Sequence, residues 1–582
     1  MGMDGLDPII LEEMMAKGKL PNFSRLAAKG LYHPLETVFP PQSPVVWTSI
    51  ATGCPPLQHS IHDFLSRDPG DYTPKLSVLR QGKLGYVRPF AGKTFWEVAS
   101  AREIPATVIK WPLTFPATPM MGTVLSGLGT PDIRGTLGRY TFISSSDVPN
   151  PEKKKGTVLK VDASRGVITT LLPGPLGLSF QGKVETNTPL EIQRDNGRIL
   201  CRLGGASFSL EEGCWSAWIP VTFKVGFMRT VTGICRFYLE SVEPDFNLYV
   251  TPINLDPQMK FMPLSYPLAY ARQLADALGS YATLGLAEDA NALNDEIISE
   301  RGFLSGCDLV MKEREKIFFH ELSRFHQGIL ACVFDTTDRV QHLFWRHLDQ
   351  DHPRYNPQEA REYGAVIPGW YLRVDDVLGR VLERLADNTL LIVASDHGFT
   401  SFRRSVHLNT WLVQNGFMVL REEKTAGSGL FADVDWSRTV AFAFGLNSLC
   451  LNLTNREKQG CLDGERLAAV KEDLVRRLLV MTDQGRPVIN DVSDSGEFKS
   501  SDSAAPAPDL VVGYAAGYRT SWQTALGEAP GGDCIEDNLA KWSGDHCCAP
   551  QLVPGIFLSN QKNLLGKPHV LDICPAILDF LT

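Results

Sequence analysis

The chain has 582 residues, 43% of them hydrophobic, and a formal net charge of −9 from 57 Lys plus Arg against 66 Asp plus Glu. That apolar content excludes intrinsic disorder, and the length fits one large domain carrying an insertion, or two domains. The acidic balance disfavours a stable nucleic-acid complex, no apolar run reaches the length of a membrane span, and the 12 Cys lack the paired CxxC spacing of a structural zinc site.

MGMDG opens almost on a polar turn where a strand is wanted, which implies either a strand cut to a stub or upstream residues, with any targeting signal, outside this chain. Asp7 and Pro8 pair as N-cap and first-turn residues, and Ile10, Leu11, Met14 and Met15 predict a helix ending near Gly18. NFSRLAAKG (22–30) reads as a second helix closed by Gly30, and a Pro-rich turn then leads to a helix from about Ser43 to just before Gly53. IPATVIKWP (104–112) is a strand entering a loop.

Between about 141 and 255, short β-like runs such as GVITTLL, RILCRL and WIPVTFKV predict a β-rich insertion that caps or shapes a site. The basic run EKKKG (152–156) is read as a solvated turn. From 303 the strand and helix alternation returns in MKEREKIFFHELSRF, GILACVF, YLRVDDVLGRVLERLAD and TLLIVASD, followed by strands in DLVVGY and VPGIFLSN and a terminal helix. The prediction is an α/β fold, a layered sheet flanked by helices, with core segments 1–140 and 256–582 and an insertion or cap at 141–255.

Candidate ligands cluster where strands give way to loops: Asp4 in GMDG, Asp338 and His342 in TTDRVQH, Asp396 and His397 in ASDHG, and His546 in SGDH. The carboxyl ends of strands in open α/β sheets form the ligand-binding side, so these distant segments can meet. Asp338 and His342, four apart, share one helix face and with a third imidazole from His546 could hold one divalent metal. Asp396 and His397 in a tight turn, with Asp4, could hold a second. Asp335 and His407 compete for metal roles, Asp545 orients a ring or pairs with a neighbour, and His59 and His62 line a rim or a turn.

GMDG, FPPQSPVVWTSIATG, DRVQH, ASDHG and SGDH occur in the order seen in the alkaline phosphatase superfamily and are most similar to its type I phosphodiesterase and nucleotide pyrophosphatase branch. The resemblance implies an alkaline-phosphatase-like sheet over roughly 1–140 and 303–582. It assigns the catalytic position, ten residues before the Gly of the TG pair, to Ser43. It also implies one metal on Asp338, His342 and His546 and another on Asp4, Asp396 and His397, with the Ser43 oxygen joining the second. Where the branch commonly has Asn, this chain has Phe64 within HSIHDF, and QSPVVW lacks the sulfatase signature.

The function this implies is metal-dependent phosphodiester hydrolysis through a phosphoseryl intermediate, with two divalent cations, Zn²⁺ or alternatively Mn²⁺. The substrate is expected to be a small-molecule or lipid-linked phosphate ester, with Lys110, Arg134, Arg139, Arg403 and Arg404 as candidates to meet extra negative charge. The alternatives are a phosphomonoesterase or phosphosugar phosphoryl-transfer enzyme, and a noncatalytic interaction protein on a degenerate hydrolase fold. The chain is expected to be soluble, cytoplasmic or periplasmic; protein partners stay open.

Overall fold

The computed structural model describes residues 1–581 apart from 84, 165, 180–181, 196, 422–423 and 496–505. The chain forms two compact units, Met1–Ile104 with Val333–Thr582, and Pro105–Cys332.

The first unit is built on a mixed sheet. Gly2–Met3 lies parallel to Ile392–Ala394 on one side and to Val333 and Phe334 on the other. Gly555–Ser559 enters antiparallel between Leu31–Leu35 and Ile392–Ala394. Its five residues are all buried, as an apolar run covered on both faces requires.

Helices flank this sheet, and their ends follow local chemistry. Asp7 Oδ1 accepts the amides of Ile9 and Ile10, which with Pro8 at the first position starts the helix Pro8–Ala16. The helix Ser43–Thr52 is buried along its whole length and stops at Gly53, whose φ of 66° needs no side chain in the way. Thr336–Phe344 begins two residues after the strand end at Phe334 and is likewise buried throughout.

Two larger sheets accompany it in the unit. Thr400–Val406 runs parallel to Gly517–Thr520 and antiparallel to Ile535–Asp537 and Gly544–Asp545. An antiparallel sheet of Ala441–Phe444, Ser448–Leu451, Leu510–Tyr514 and Ile489–Asp494 packs Phe442, Leu449 and Val512 with Leu474 and Leu478 of the helix Gly464–Leu479.

In the second unit Ala106–Ile109 is parallel to residues 329–332 and to Gly122–Leu125, and the helix Glu300–Leu322 spans 23 residues. The predicted β-rich character is present in an antiparallel sheet of Val167–Ser179, Gly182–Asp195, Arg198–Leu203 and Ala206–Glu211. Arg198–Leu203 alternates exposed and buried residues, turning Ile199, Cys201 and Leu203 inward. Ile219–Gly226 and Arg229–Cys235 form a further antiparallel pair. The EKKKG run lies in a turn held by Lys154 Nζ, which donates to Asp295 O at 2.7 Å. Among the described residues no helix is long and apolar enough to cross a membrane.

Candidate functional site

All seven residues singled out at strand ends and at the start of the Ser43 helix fall in the first unit, and all are buried. Asp338 and His342 share a face of the helix Thr336–Phe344, with His342 Nε2 3.3 Å from Asp338 Oδ1. His546 Nε2 reaches the same oxygen at 3.7 Å. On the opposite edge of each ring, Nδ1 meets a backbone carbonyl: Gly544 O at 2.7 Å for His342 and Pro41 O at 2.6 Å for His546. Each Nδ1 therefore donates to that carbonyl, and each Nε2 faces Asp338 Oδ1.

The second group repeats this logic. His397 Nδ1 donates to Gly398 O at 3.0 Å, leaving Nε2 3.1 Å from Asp396 Oδ2 and 3.7 Å from Asp4 Oδ1. Gly5 N donates to Asp396 Oδ1 and Trp47 Nε1 to Asp4 Oδ2, so the other oxygen of each carboxylate faces inward. Ser43 Oγ lies 3.2 Å from His397 Nε2 and 3.3 Å from Asp4 Oδ1. The rings of His397 and His546 stack with centroids 3.5 Å apart, joining the two groups.

Without a cation this arrangement is electrostatically unbalanced. Asp338 Oδ1 and Asp396 Oδ2 are buried and accept no hydrogen bond. Burial, then the carboxylates of Asp396 and Asp338, push the Asp4 carboxyl well above its ordinary range. Burial opposes ionisation of Asp338, yet the facing His342 ring and the Arg339 guanidinium, 2.7 Å from Oδ2, hold its carboxyl low. Burial, with the neighbouring His397 and His342 rings, keeps His546 well below an ordinary imidazole. Oxygen and nitrogen donors aimed at a common point fit divalent cations. Asp338, His342 and His546, and likewise Asp4, Asp338 and His397, bring their donor atoms within 4.8 Å of one another.

The competing residues lie elsewhere. Asp335 occupies the N-cap of the Asp338 helix and belongs to neither donor set. His407 is committed to Ser521 Oγ at 2.9 Å and Glu536 Oε1 at 3.1 Å. Arg403 grips Asp349 with two bonds, and Arg404 pairs with Asp483 and Asp537. Lys110, Arg134 and Arg139 belong to the second unit, where Lys110 Nζ donates to Thr283 O, Arg134 pairs with Glu185 and the Arg139 amide donates to Asp132.

Sequence reasoning missed two supporting networks. Asp63, next to Phe64 in HSIHDF, is buried; its carboxylate accepts from Gln42 Nε2 at 3.0 Å and from the amides of Leu446 and Asn447. Gln42 is the N-cap of the Ser43 helix, so this network anchors the residue beside the hydroxyl. Phe64 packs beside Leu446, Ala525 and Cys547. Asp545, whose orienting role was foreseen only in outline, caps the turn carrying His546, with Oδ1 accepting the amides of His546 and Cys547 at 2.8 Å each. Only the acidic residue beside each site motif hinted at these partners.

No curated protein sequence matches the chain. Among solved structures it is similar to phosphonoacetate hydrolase from Sinorhizobium meliloti 1021 in complex with phosphonoformate, at 12% identity and a TM-score of 0.44 over 100% of this chain and 94% of that one. Murine ectonucleotide pyrophosphatase / phosphodiesterase 5 is similar at 10% identity and 0.39, covering 100% and 93%. Alkaline phosphatase PafA is similar at 11% and 0.43, covering 100% and 94%. The family model of type I phosphodiesterase / nucleotide pyrophosphatase matches residues 1–172 and 279–520, a span that takes in Asp4, Ser43, Asp338, His342, Asp396 and His397 and stops short of His546. The chain therefore belongs to the type I phosphodiesterase / nucleotide pyrophosphatase family of the alkaline phosphatase superfamily, a family of metal-dependent phosphoester hydrolases.

Proposed function

We propose that the protein hydrolyses phosphodiesters with Ser43 as nucleophile and two divalent cations, Zn²⁺ in first place and Mn²⁺ as the alternative. Asp338, His342 and His546 would hold one cation; Asp4, Asp396 and His397, joined by the Ser43 oxygen, would hold the other. The observation that carries the reading is the position of Ser43 Oγ, 3.2 Å from His397 Nε2 and 3.3 Å from Asp4 Oδ1, at the start of a buried helix.

When bound, the cations supply Lewis acidity on both sides of a phosphorus centre and favour ionisation of the serine. The remaining work belongs to the chain. Asp4 and His397 orient the Ser43 oxygen, and the helix starting at Ser43 favours an anion at that end through its dipole. The Ser43 oxygen bonds to phosphorus as the leaving-group alcohol departs; water then cleaves the phosphoserine and restores the hydroxyl. Burial of all seven side chains keeps competing water from their donor atoms.

Charge favours a diester. Three carboxylates and a serine alkoxide balance two divalent cations, Arg339 beside Asp338 adds one positive charge, and Arg403 and Arg404 are paired with carboxylates of their own. A singly charged diester suits such a centre better than a dianionic monoester, which leaves monoester hydrolysis or phosphosugar phosphoryl transfer second. The complete donor set with an aimed hydroxyl speaks against a purely noncatalytic interaction protein.

The test is turnover of bis-p-nitrophenyl phosphate against p-nitrophenyl phosphate, with and without Zn²⁺. Faster diester turnover, abolished in Ser43→Ala at unchanged metal content, is the expected result. Wild-type turnover in the purified Ser43→Ala protein sinks the assignment.

A further inference from the structure

We propose that Arg519 is a positioning residue: acting through Asp545, it sets the affinity of the metal position formed by Asp338, His342 and His546. The inference rests on the two-cation reading above and extends it to a residue outside both donor sets.

Arg519 lies on the strand Gly517–Thr520, in register with Ser405, and is 1% exposed. Its guanidinium sits 4.0 Å from the Trp522 ring centroid and 5.0 Å from that of Phe402, and its Nε is 3.2 Å from Asp545 Oδ2. A buried ion pair adds little net stability compared with apolar packing of the same volume, so its consequence is sought in what it holds in place.

What it holds is a hub for two imidazoles. Asp545 Oδ1 fixes the backbone of His546, and Oδ2 accepts Trp542 Nε1 at 2.8 Å. The Trp542 ring stacks on His342 with centroids 3.8 Å apart and planes 27° from parallel. Asp545 Oδ2 also lies 3.9 Å from His342 Nδ1, whose proton goes to Gly544 O. With Arg519 present, the Asp545 carboxylate is balanced and the Nδ1–H stays directed at the Gly544 carbonyl. Without it, an uncompensated buried carboxylate faces His342, and only Trp542 still holds Oδ2 of the residue that anchors the turn bearing His546. The supports named for the other position, Trp47 on Asp4, Gly5 on Asp396 and the Gly398 carbonyl on His397, are separate from this hub.

The experiment measures Zn²⁺ affinity by chelator competition in two single-position backgrounds of the full chain. Asp396→Asn leaves the position of Asp338, His342 and His546; His342→Ala leaves the other. Adding Arg519→Met is expected to weaken Zn²⁺ about 10–100-fold in the first background, the range for lost outer-shell partners, and less than about threefold in the second. Arg519→Lys should recover most of that loss. Equal weakening in both backgrounds, or none in either, overturns the proposal. If Arg519→Met does not fold, Trp542→Phe keeps a ring on His342 while removing the donor to Asp545, and the same two outcomes decide. An unsubstituted chain that binds fewer than two Zn²⁺ removes the two-cation reading and this inference with it, a failure visible before any substitution is made.

Discussion

Trp47 Nε1 donates to Asp4 Oδ2 at 2.9 Å from within the helix that begins at Ser43, so one helix both presents the hydroxyl and fixes the carboxylate facing it. Trp47→Phe keeps a buried ring but frees Asp4 to rotate. It is expected to lower Zn²⁺ affinity and diester turnover about 10–100-fold, as loss of an outer-shell partner does. Metal titration alongside steady-state kinetics checks this; unchanged affinity would make the indole a packing group only.

Three carboxylates converging on one cavity make the metal-free protein less stable than its packing allows. In Asp396→Asn the neighbouring charge that helps push the Asp4 carboxyl up disappears. The chelated variant should therefore be more stable than the chelated parent. Its gain in Tm on adding Zn²⁺ should be the smaller of the two. Thermal melts in chelator and in Zn²⁺ decide, and a lower Tm in chelator contradicts the argument.

His59, outside both candidate donor sets, supplies a pH dependence of its own. Its ring is fully buried, Nδ1 accepts the Ile61 amide and Nε2 meets Ser49 Oγ at 2.9 Å, an arrangement that suits the neutral ring. Burial, then the nearby His62, pulls its pKa from 6.5 down to about 3. Below about pH 6.5 an unfolded chain takes up a proton that the folded chain refuses, so stability present above that pH is lost as pH falls toward 3, at about 1.4 kcal/mol per unit. Urea melts of wild type and His59→Gln at pH 7 and pH 5 should show the steeper loss in wild type. Parallel losses would mean that this ring does not govern the slope.

Asp63 ties the Ser43 helix to the loop at Leu446 and Asn447 through Gln42. Asp63→Ala leaves those buried donors unsatisfied, with an expected loss of about 2–4 kcal/mol in stability. Diester kcat should fall as well, at near-normal metal content, because the Gln42 cap beside the hydroxyl is released. Urea denaturation, metal analysis and kinetics separate the two effects; lost stability at unchanged kcat would confine the network to folding.

The site was legible because its chemistry is written in short local motifs. Helical spacing put Asp338 and His342 on one face, whereas Ser43 was singled out through the family resemblance, ahead of a helix closed at Gly53. The second half of the helix Glu300–Leu322, in MKEREKIFFHELSRF, and the buried strand Ile329–Phe334 were equally readable, while the first half of that helix was not read. The sheet around Thr400–Val406 was not, because FRRSV mixes paired arginines with apolar residues and its partners come from 517–520, 535–537 and 544–545. Arg519 was invisible for the same reason. A buried arginine reads like a surface one until the carboxylate and rings that surround it are brought to it by tertiary contacts.

The insertion of Gly555–Ser559 between Leu31–Leu35 and Ile392–Ala394 carries a consequence for synthesis. This inner strand is synthesised after both of its neighbours, so they wait with open edges until it has left the ribosome. Such long-range pairing slows folding and lengthens exposure to aggregation. Nascent chains stalled before residue 555 should therefore be protease-sensitive around both orphaned edges.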